Sequence, residues 1–150
     1  MGVDLCAARC LSDAAVDDAL MAKVAAYVAE NYHCKIRVVD IALYVNVSVR
    51  TLQNLFHRHC GEPPLSAIRR FRLRKLHVAL QHKPWSPLRL HLERCGLTGS
   101  IADRDLFLAM YGLTIRELQH TCRRRRTDVV VPLVPREGRA ELEHFLLPSA

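Results

Sequence analysis

The chain has 150 residues, half of them apolar, which is enough for one domain or for two small subdomains that share a core. No stretch is long and apolar enough to span a membrane, because the best candidate, residues 129–134, is interrupted by Pro132. The formal net charge of +7 is concentrated in residues 35–83, where 10 basic and 2 acidic side chains favour a polyanionic partner, although a solvated basic face would give the same count.

Residues 1–34 are predicted to form an N-terminal helix and its lead-in. Ser12 is the predicted N-cap, and the acidic residues that follow it suit the positive end of the helix dipole. Apolar residues then recur at helical spacing until about Asn31, namely Val16, Leu20, Val24 and Val28. This segment carries 2 basic and 5 acidic side chains, so the positive charge of the chain begins after it.

Residues 35–64 have the pattern of a helix-turn-helix. A short apolar helix from Val38 to Val45 is followed by a turn at Asn46 and by a second helix that begins at Ser48. Gly61 suits the left-handed stop position of the second helix, and the prolines after it forbid continuation. The second helix has an apolar face, formed by Leu52, Leu55 and Phe56, and a polar face, formed by Arg50, Gln53, Asn54 and His57. Two helices joined by a tight turn, the second with polar side chains outward, are typical of a DNA-reading unit.

A long helix and a weaker copy of the same pattern follow. Residues 65–83 are predicted to be a linker helix that has a solvent-exposed basic face and ends at Pro84. Residues 84–126 then repeat the plan with a short helix at 88–94, a turn at Gly96, a second helix at 100–110 that Gly112 stops, and a closing helix at 114–125. The tail, residues 127–150, contains a short amphipathic segment around Leu142, Phe145 and Leu146. The predicted fold class is therefore all-α, with two homeodomain-like helix-turn-helix subdomains joined by a long linker helix.

Residues 20–125 resemble the AraC/XylS family of bacterial transcription regulators. The likeness rests on Ile41-Ala42, Ser48-x-Arg50-Thr51-Leu52-x-x-Leu55-Phe56, Gly61-x-x-Pro64 and Arg72-Leu73. In that family, two helix-turn-helix subdomains each place a recognition helix in the major groove of double-stranded DNA. The resemblance implies base or near-base contacts from Arg50, Gln53 and Asn54, and phosphate contacts from Ser48, Thr51, His57 and Arg58.

The chemistry of these side chains agrees with such contacts. Arginine forms bidentate hydrogen bonds with guanine, and glutamine or asparagine forms them with adenine. The free amide groups at a helix N-terminus bind phosphate. The alternative is that these residues are ordinary solvated side chains on a surface helix.

The second helix-turn-helix departs from the family pattern. Counting back from Gly112, Asp103 and Asp105 stand where the family has an aromatic residue and an arginine. Two carboxylates facing a phosphate backbone would be repelled by it. The second motif is therefore expected mainly to support the fold or to touch the backbone, while the first motif reads sequence. Its remaining predicted contacts are Thr98, Ser100 and Arg104.

We expect no metal site, no cofactor and no catalytic centre. His57, His59 and Cys60 lack the four-ligand spacing of a zinc site, and no Gly-rich phosphate loop or nucleophile elbow occurs in the sequence. The six cysteines are scattered and include no Cys-x-x-Cys pair, which favours free, mostly buried thiols in a reducing cytosol. A cytoplasmic protein is the corresponding expectation.

The sequence thus predicts a sequence-specific DNA-binding transcription regulator that docks residues 48–59 in the major groove. The main alternative is a protein-interaction module of the same fold, which modulates RNA polymerase or a full-length regulator without specific DNA binding. A sequence-blind nucleic-acid binder is less favoured, because the positive charge is confined and aromatic stacking groups are few. The sequence leaves the oligomeric state open.

Overall fold

The computed structural model describes residues 5–127, with side chains from residue 15 to residue 125. This part of the chain contains helices and no strand, which confirms the predicted all-α fold class. The seven helices of this range are α1 (Leu5–Asn31), α2 (Val38–Tyr44), α3 (Val49–Cys60), α4 (Pro64–His82), α5 (Leu88–Arg94), α6 (Ile101–Tyr111) and α7 (Ile115–Thr127). None of these described helices has the length and apolar character needed to cross a membrane. The amphipathic segment predicted in the tail lies outside the described residues.

The described residues form two compact units. The first unit holds the chain up to Glu30 together with Ile36–Pro64, and the second holds Asn31–Lys35 together with the chain from Leu65 to the end of α7. Each unit therefore contains one helix-turn-helix, formed by α2 and α3 in the first and by α5 and α6 in the second. The helix predicted as a linker, α4, groups with the second unit.

Helix α1 begins earlier than the sequence predicts. It starts at Leu5, so Ser12 lies inside the helix and is not its N-cap. The residues before Ser12 include alanines and contain no proline or glycine within the helix, so nothing local stops the helix from extending upstream. The predicted end of the helix at Asn31 is confirmed.

The buried face of α1 also differs from the predicted one. Val16 is 65% exposed, whereas Met21 is 2% exposed and shares the core with Val24 and Val28. A step of four residues overshoots a full helical turn by about 40°, so three such steps carry a stripe about a third of the way around the helix. The stripe that starts at Val16 therefore leaves the core, and residues at mixed three- and four-residue spacing form the face that is buried.

The two helix-turn-helices end their first helix in the same way. After α2, Asn46 has a φ of 58°, and the next N–H donates to the Ala42 carbonyl at 2.9 Å. After α5, Gly96 has a φ of 66°, and the next N–H donates to the Leu92 carbonyl at 2.9 Å. Both first helices are seven residues long. This shared turn supports the internal repeat that the sequence suggests.

An apolar core and a few buried polar groups hold the second unit together. The core consists of Leu73, Leu76, Leu80, Cys95, Leu97, Phe107, Ile115 and Leu118. The loop between α4 and α5 is held by the buried amide of Gln119, which donates to the carbonyls of Pro84 and Ser86 at 3.0 and 2.8 Å. α7 is thereby fastened to the entrance of the second helix-turn-helix.

The short connector between α1 and α2 lies against the second unit, to which it belongs. Arg72 donates from Nε to the Tyr32 carbonyl at 2.8 Å and from Nη2 to the Cys34 carbonyl at 2.6 Å. A Cβ atom added at Gly96 would lie 2.5 Å from the same Tyr32 oxygen. Glycine at this turn is therefore required by its backbone conformation and by the close approach of the connector.

We expect Gly96→Ala to destabilise the protein more than Gly112→Ala. Both glycines are left-handed, with φ values of +66° and +70°, so the conformation alone costs about 1–2 kcal/mol of unfolding free energy in either variant. At Gly96 the new methyl group also meets backbone, whereas Gly112 has no atom within 4 Å. Urea unfolding followed by far-UV circular dichroism measures the difference, and equal losses in the two variants would contradict the close approach.

His77 links α4 to α6, the second helix of the second helix-turn-helix. Its ring stacks on Tyr111, with centroids 4.2 Å apart and ring planes 12° apart, and lies 6.3 Å from the Phe107 ring. Partial burial lowers the pKa of His77 from its usual value of 6.5, because a charged imidazolium would lose solvation at this position.

The lowered pKa of His77 predicts a loss of stability in mild acid. Because the folded-state pKa lies below the unfolded-state value, the unfolded chain binds more protons as the pH falls past about 6.5. The free energy of unfolding should therefore decline from about pH 7 to about pH 5, and His77→Gln should make this decline shallower. Denaturant titrations across this pH range test the effect, and an unchanged slope in the variant would refute it.

Candidate nucleic-acid interface

Helix α3 is fixed by its two ends and by its apolar face. The Ser48 hydroxyl caps the start by accepting the Thr51 N–H at 3.0 Å, and Gly61 ends the helix in the left-handed conformation with a φ of 68°. The side chains facing the core are 0–1% exposed, namely Leu52, Leu55 and Phe56. Burial of this stripe fixes the rotation of the helix about its own axis. The predicted start, stop and apolar face of the helix are confirmed.

The opposite side of α3 carries exposed polar side chains. They follow the i, i+3, i+4, i+7 spacing that places residues on one side of a helix, and we call them the α3 polar face: Arg50, Gln53, Asn54 and His57. All four are exposed, and none forms a side-chain hydrogen bond or ion pair with another residue in the described part of the chain. The structure thus brings these four predicted contact residues together on one open, anchored surface.

The other residues of this helix predicted to contact phosphate have partners inside the protein. The Ser48 and Thr51 hydroxyl oxygens are 2.8 Å apart. Arg58 places Nη1 2.8 Å from a carboxylate oxygen of Asp17 in α1. Phosphate contact by these three residues stays a prediction, and for Arg58 it requires competition with Asp17.

The N-terminus of α6 is built around a buried carboxylate. Asp103 is 4% exposed. Its Oδ2 accepts the Ser100 N–H at 3.1 Å and the Thr98 hydroxyl at 3.3 Å, while the Ser100 hydroxyl accepts the Asp103 N–H at 3.3 Å. The Arg69 guanidinium of α4 lies 3.4 Å from the other carboxylate oxygen. These contacts form a capping box with its charge partly compensated from a second helix.

Asp103 therefore does not face a phosphate backbone, and the expectation that it would repel one was wrong. Its carboxylate serves as a helix cap, where the positive end of the helix dipole favours a negative charge. The sequence held a signal for this role, since Ser100-x-x-Asp103 has the spacing of a capping box with aspartate in the acidic position. Asp105, in contrast, is exposed.

The three predicted contacts of the second helix-turn-helix lie together at the start of α6. The hydroxyls of Thr98 and Ser100 are both used in the capping box around Asp103. Arg104 is exposed and donates from Nε to the Gly99 carbonyl at 2.9 Å, which occupies one of its five N–H donors. Of these residues, Arg104 keeps the most hydrogen-bonding capacity for a ligand.

Two cysteine thiols close to α3 and α6 have raised pKa values and low reactivity. Burial raises the pKa of Cys60, at the end of α3, to about 11, and it raises the pKa of Cys95, before the second turn, to about 11. The thiolate is the reactive form of cysteine, so neither thiol is activated near neutral pH. Within the described residues, no group of three His, Cys, Asp or Glu side chains could hold a metal ion.

Replacement of Asp103 should destabilise the protein, whereas replacement of its neighbour should not. Asp103→Ala removes a helix cap and leaves the buried end of the network without an acceptor, which we expect to cost about 1–3 kcal/mol of unfolding free energy. Asp105→Ala removes an exposed carboxylate from the same helix and should change stability by less than about 0.5 kcal/mol. Chemical denaturation of both variants measures the contrast, and equal effects would assign no capping role to Asp103.

Solved DNA-binding domains have the same arrangement of helices. The fold is similar to the DNA-binding domain of AdpA, a global transcriptional factor solved in complex with a target DNA. That match has 25% identity and a TM-score of 0.62, and it covers 73% of this chain and 97% of the other. An AraC-type regulator from Chromobacterium violaceum is 22% identical with a TM-score of 0.64, over 72% of this chain and 96% of the other. The C-terminal domain of AraT, a response regulator from Geobacillus stearothermophilus, is 16% identical with a TM-score of 0.59, over 81% and 95%.

No protein-family model matches the sequence, and no curated protein matches it significantly. The similarity of this chain to known proteins therefore rests on the fold that it shares with these solved structures. The sequence resemblance, which includes the segment from the Ser48 cap to the Gly61 stop, points to the same fold. The chain has the fold of the AraC-type DNA-binding domain, as the sequence predicts.

Proposed function

We propose that the chain is a sequence-specific DNA-binding transcription regulator that docks α3 in the major groove of double-stranded DNA. The observation that carries this proposal is the α3 polar face, which is exposed, without side-chain partners among the described residues, and held on a helix of fixed rotation. Side chains presented in this way offer base edges one defined pattern of donors and acceptors, which sequence readout requires. The match to a domain solved with its target DNA supports the same function.

The side-chain chemistry assigns roles within this face. Arg50 suits a bidentate contact with guanine, and Gln53 and Asn54 suit adenine. His57, one turn further along, suits a phosphate beside the groove. The amide groups at the Ser48 end of α3 offer an anchoring point for a backbone phosphate, as helix N-termini commonly do.

The charge distribution supports an attraction to DNA before any base is read. Residues 35–83 carry 10 basic and 2 acidic side chains, and this segment includes α3 and most of α4. A local positive field raises the rate of encounter with a polyanion and supplies the part of the affinity that salt weakens. The base contacts of the α3 polar face would then convert this general attraction into sequence preference.

The second helix-turn-helix has a supporting role in this proposal. Its predicted contacts, Thr98, Ser100 and Arg104, are backbone contacts, with Arg104 as the principal one. The carboxylates of α6 take no direct part in binding, since Asp103 is used as a cap and Asp105 has no attraction to phosphate.

An apolar patch on α2 favours a second candidate function. The sequence of α2 is almost entirely apolar, but only part of it is buried. Three of its large side chains are exposed to solvent, namely Val39 (51%), Leu43 (74%) and Tyr44 (58%). Exposed apolar side chains grouped on one helix are common at protein–protein contacts. The alternative is therefore an interaction module of the same fold that binds RNA polymerase or a full-length regulator and modulates it without specific DNA binding.

Selection from a random duplex pool at about 150 mM salt discriminates the two functions. We expect the parent chain to enrich a defined motif, and Arg50→Ala and Gln53→Ala to lose or relax it, because each bidentate base contact is worth about 1–3 kcal/mol of discrimination. Arg50→Lys should keep the charge and still relax the motif, since a lysine lacks the rigid planar fork with which arginine donates two parallel hydrogen bonds. Lys23→Ala removes an exposed positive charge from α1 and should leave the motif intact.

The selection experiment can also reject the proposed function. An absence of enrichment, with binding that disappears as salt rises, would reject the specific reader and favour the interaction module. If a motif is found, its length reports whether the second helix-turn-helix also reads bases.

A further inference from the structure

We infer that Asp17 of α1 is a built-in competitor of DNA phosphates for the basic end of α3, and that it limits how tightly the first unit holds DNA irrespective of sequence. This inference rests on the proposed function. Arg58 places Nη1 2.8 Å from Asp17 Oδ2, and the next residue, His59, places Nδ1 3.8 Å from Asp18 Oδ1. Two consecutive basic side chains of α3 therefore face two consecutive acidic side chains of α1.

The partners of the α3 side chains differ along the helix. The α3 polar face has no side-chain partners within the described residues, whereas Arg58, in the same last turn as His57, is paired. Arginine and the imidazole of histidine are the groups that the last turn of a recognition helix offers to a flanking phosphate. The protein thus leaves its proposed base contacts open, together with His57, and pairs Arg58, the arginine that is suited to sequence-blind contact, with a carboxylate.

The exposure of the ion pair makes competition feasible. The Arg58 side chain is 58% exposed and that of Asp17 is 21% exposed, so the guanidinium stays accessible to solvent while its partner is largely covered. Ion pairs of this kind are weak and are screened by salt. A phosphate oxygen can therefore replace the carboxylate, but only by giving up an attraction that the free protein already has.

Loss of one available cation changes the measured binding in a defined way. The logarithm of the affinity falls as the logarithm of the salt concentration rises, and each phosphate contact makes this slope steeper by about 0.9. Such a contact contributes to the binding of any sequence. A chain with a strongly basic segment also faces a large excess of non-target DNA. Occupation of Arg58 by Asp17 lowers binding to all duplexes alike, and it leaves the base contacts that distinguish one sequence from another unchanged.

The test measures binding of the full chain to a fluorescent duplex of random sequence by anisotropy, between about 50 and 200 mM salt. Asp17→Asn, which keeps the shape of the side chain, should bind severalfold more tightly and show a salt slope steeper by about 0.9. Glu30→Gln is the matched control, because it removes the same charge from an exposed position of α1 that has no ion-pair partner among the described side chains. It should leave the slope unchanged.

A double-mutant cycle identifies Arg58 as the residue released. Arg58→Gln leaves the Asp17 carboxylate unpaired and should weaken binding. Asp17→Asn should steepen the salt slope only where Arg58 is present, because the slope reports the number of cations that contact phosphates. Weaker binding of Asp17→Asn, binding equal to that of Glu30→Gln, or a salt slope that steepens by the same amount without Arg58 would overturn the inference. Asp17→Ala gives the same readout if the asparagine variant does not fold, and far-UV circular dichroism checks the helical content of each variant.

The inference and the proposed function fail in different ways. If the parent binds neither random nor selected duplexes, both fall. If the parent binds DNA and enriches a motif while Asp17→Asn matches the control, the proposed function stands and only the competition by Asp17 is rejected.

Discussion

The rotation of α3 about its own axis is the constraint on which the candidate interface depends. Leu52, Leu55 and Phe56 are buried on one side of the helix, so Arg50 and its polar neighbours must lie on the other. A shift of one residue would rotate the helix by about 100° and would carry the polar face out of position. The Ser48 cap and the Gly61 stop hold the helix ends, so the side chains that would meet DNA are placed before any ligand binds.

The two helix-turn-helices have the same turn conformation, but their polar groups have different partners. In the first unit, the cap uses Ser48 and Thr51 and leaves the polar face of α3 open. In the second unit, Asp103 gathers the side chains at the start of α6 and a guanidinium from α4 into one network. Such a network is favourable when every member is satisfied, and no buried side-chain nitrogen or oxygen of the described residues lacks a partner. The polar face of α3 is thus open to a ligand, whereas the polar groups at the start of α6 are largely used within the fold.

In the proposed function, electrostatics would act on the affinity for DNA, and side-chain geometry would act on the sequence specificity. The positive charge of residues 35–83 attracts any polyanion, while the acidic residues of α1 engage the basic end of α3. A regulator must prefer its target over a large excess of other DNA. A moderate general attraction combined with rigidly placed base contacts would meet that requirement better than additional positive charge.

Features that depend on neighbouring residues could be predicted from the sequence alone. Helical periodicity and the capping and stop residues located α2, α3 and α5 closely and led to the right division of α3 into an apolar and a polar face, because these signals act within one or two turns. The family resemblance supplied the fold. Contacts between distant segments could not be predicted in this way: they include the Arg58–Asp17 and Arg69–Asp103 pairs and the approach of Tyr32 to Gly96. The exposure of Val16 likewise depends on which residues pack against α1. Spacing along one helix shows which side a residue occupies but not which side chain lies opposite it. The sequence therefore left the Asp103 side chain as an exposed carboxylate, whereas the structure shows that it is buried beside Arg69 of α4.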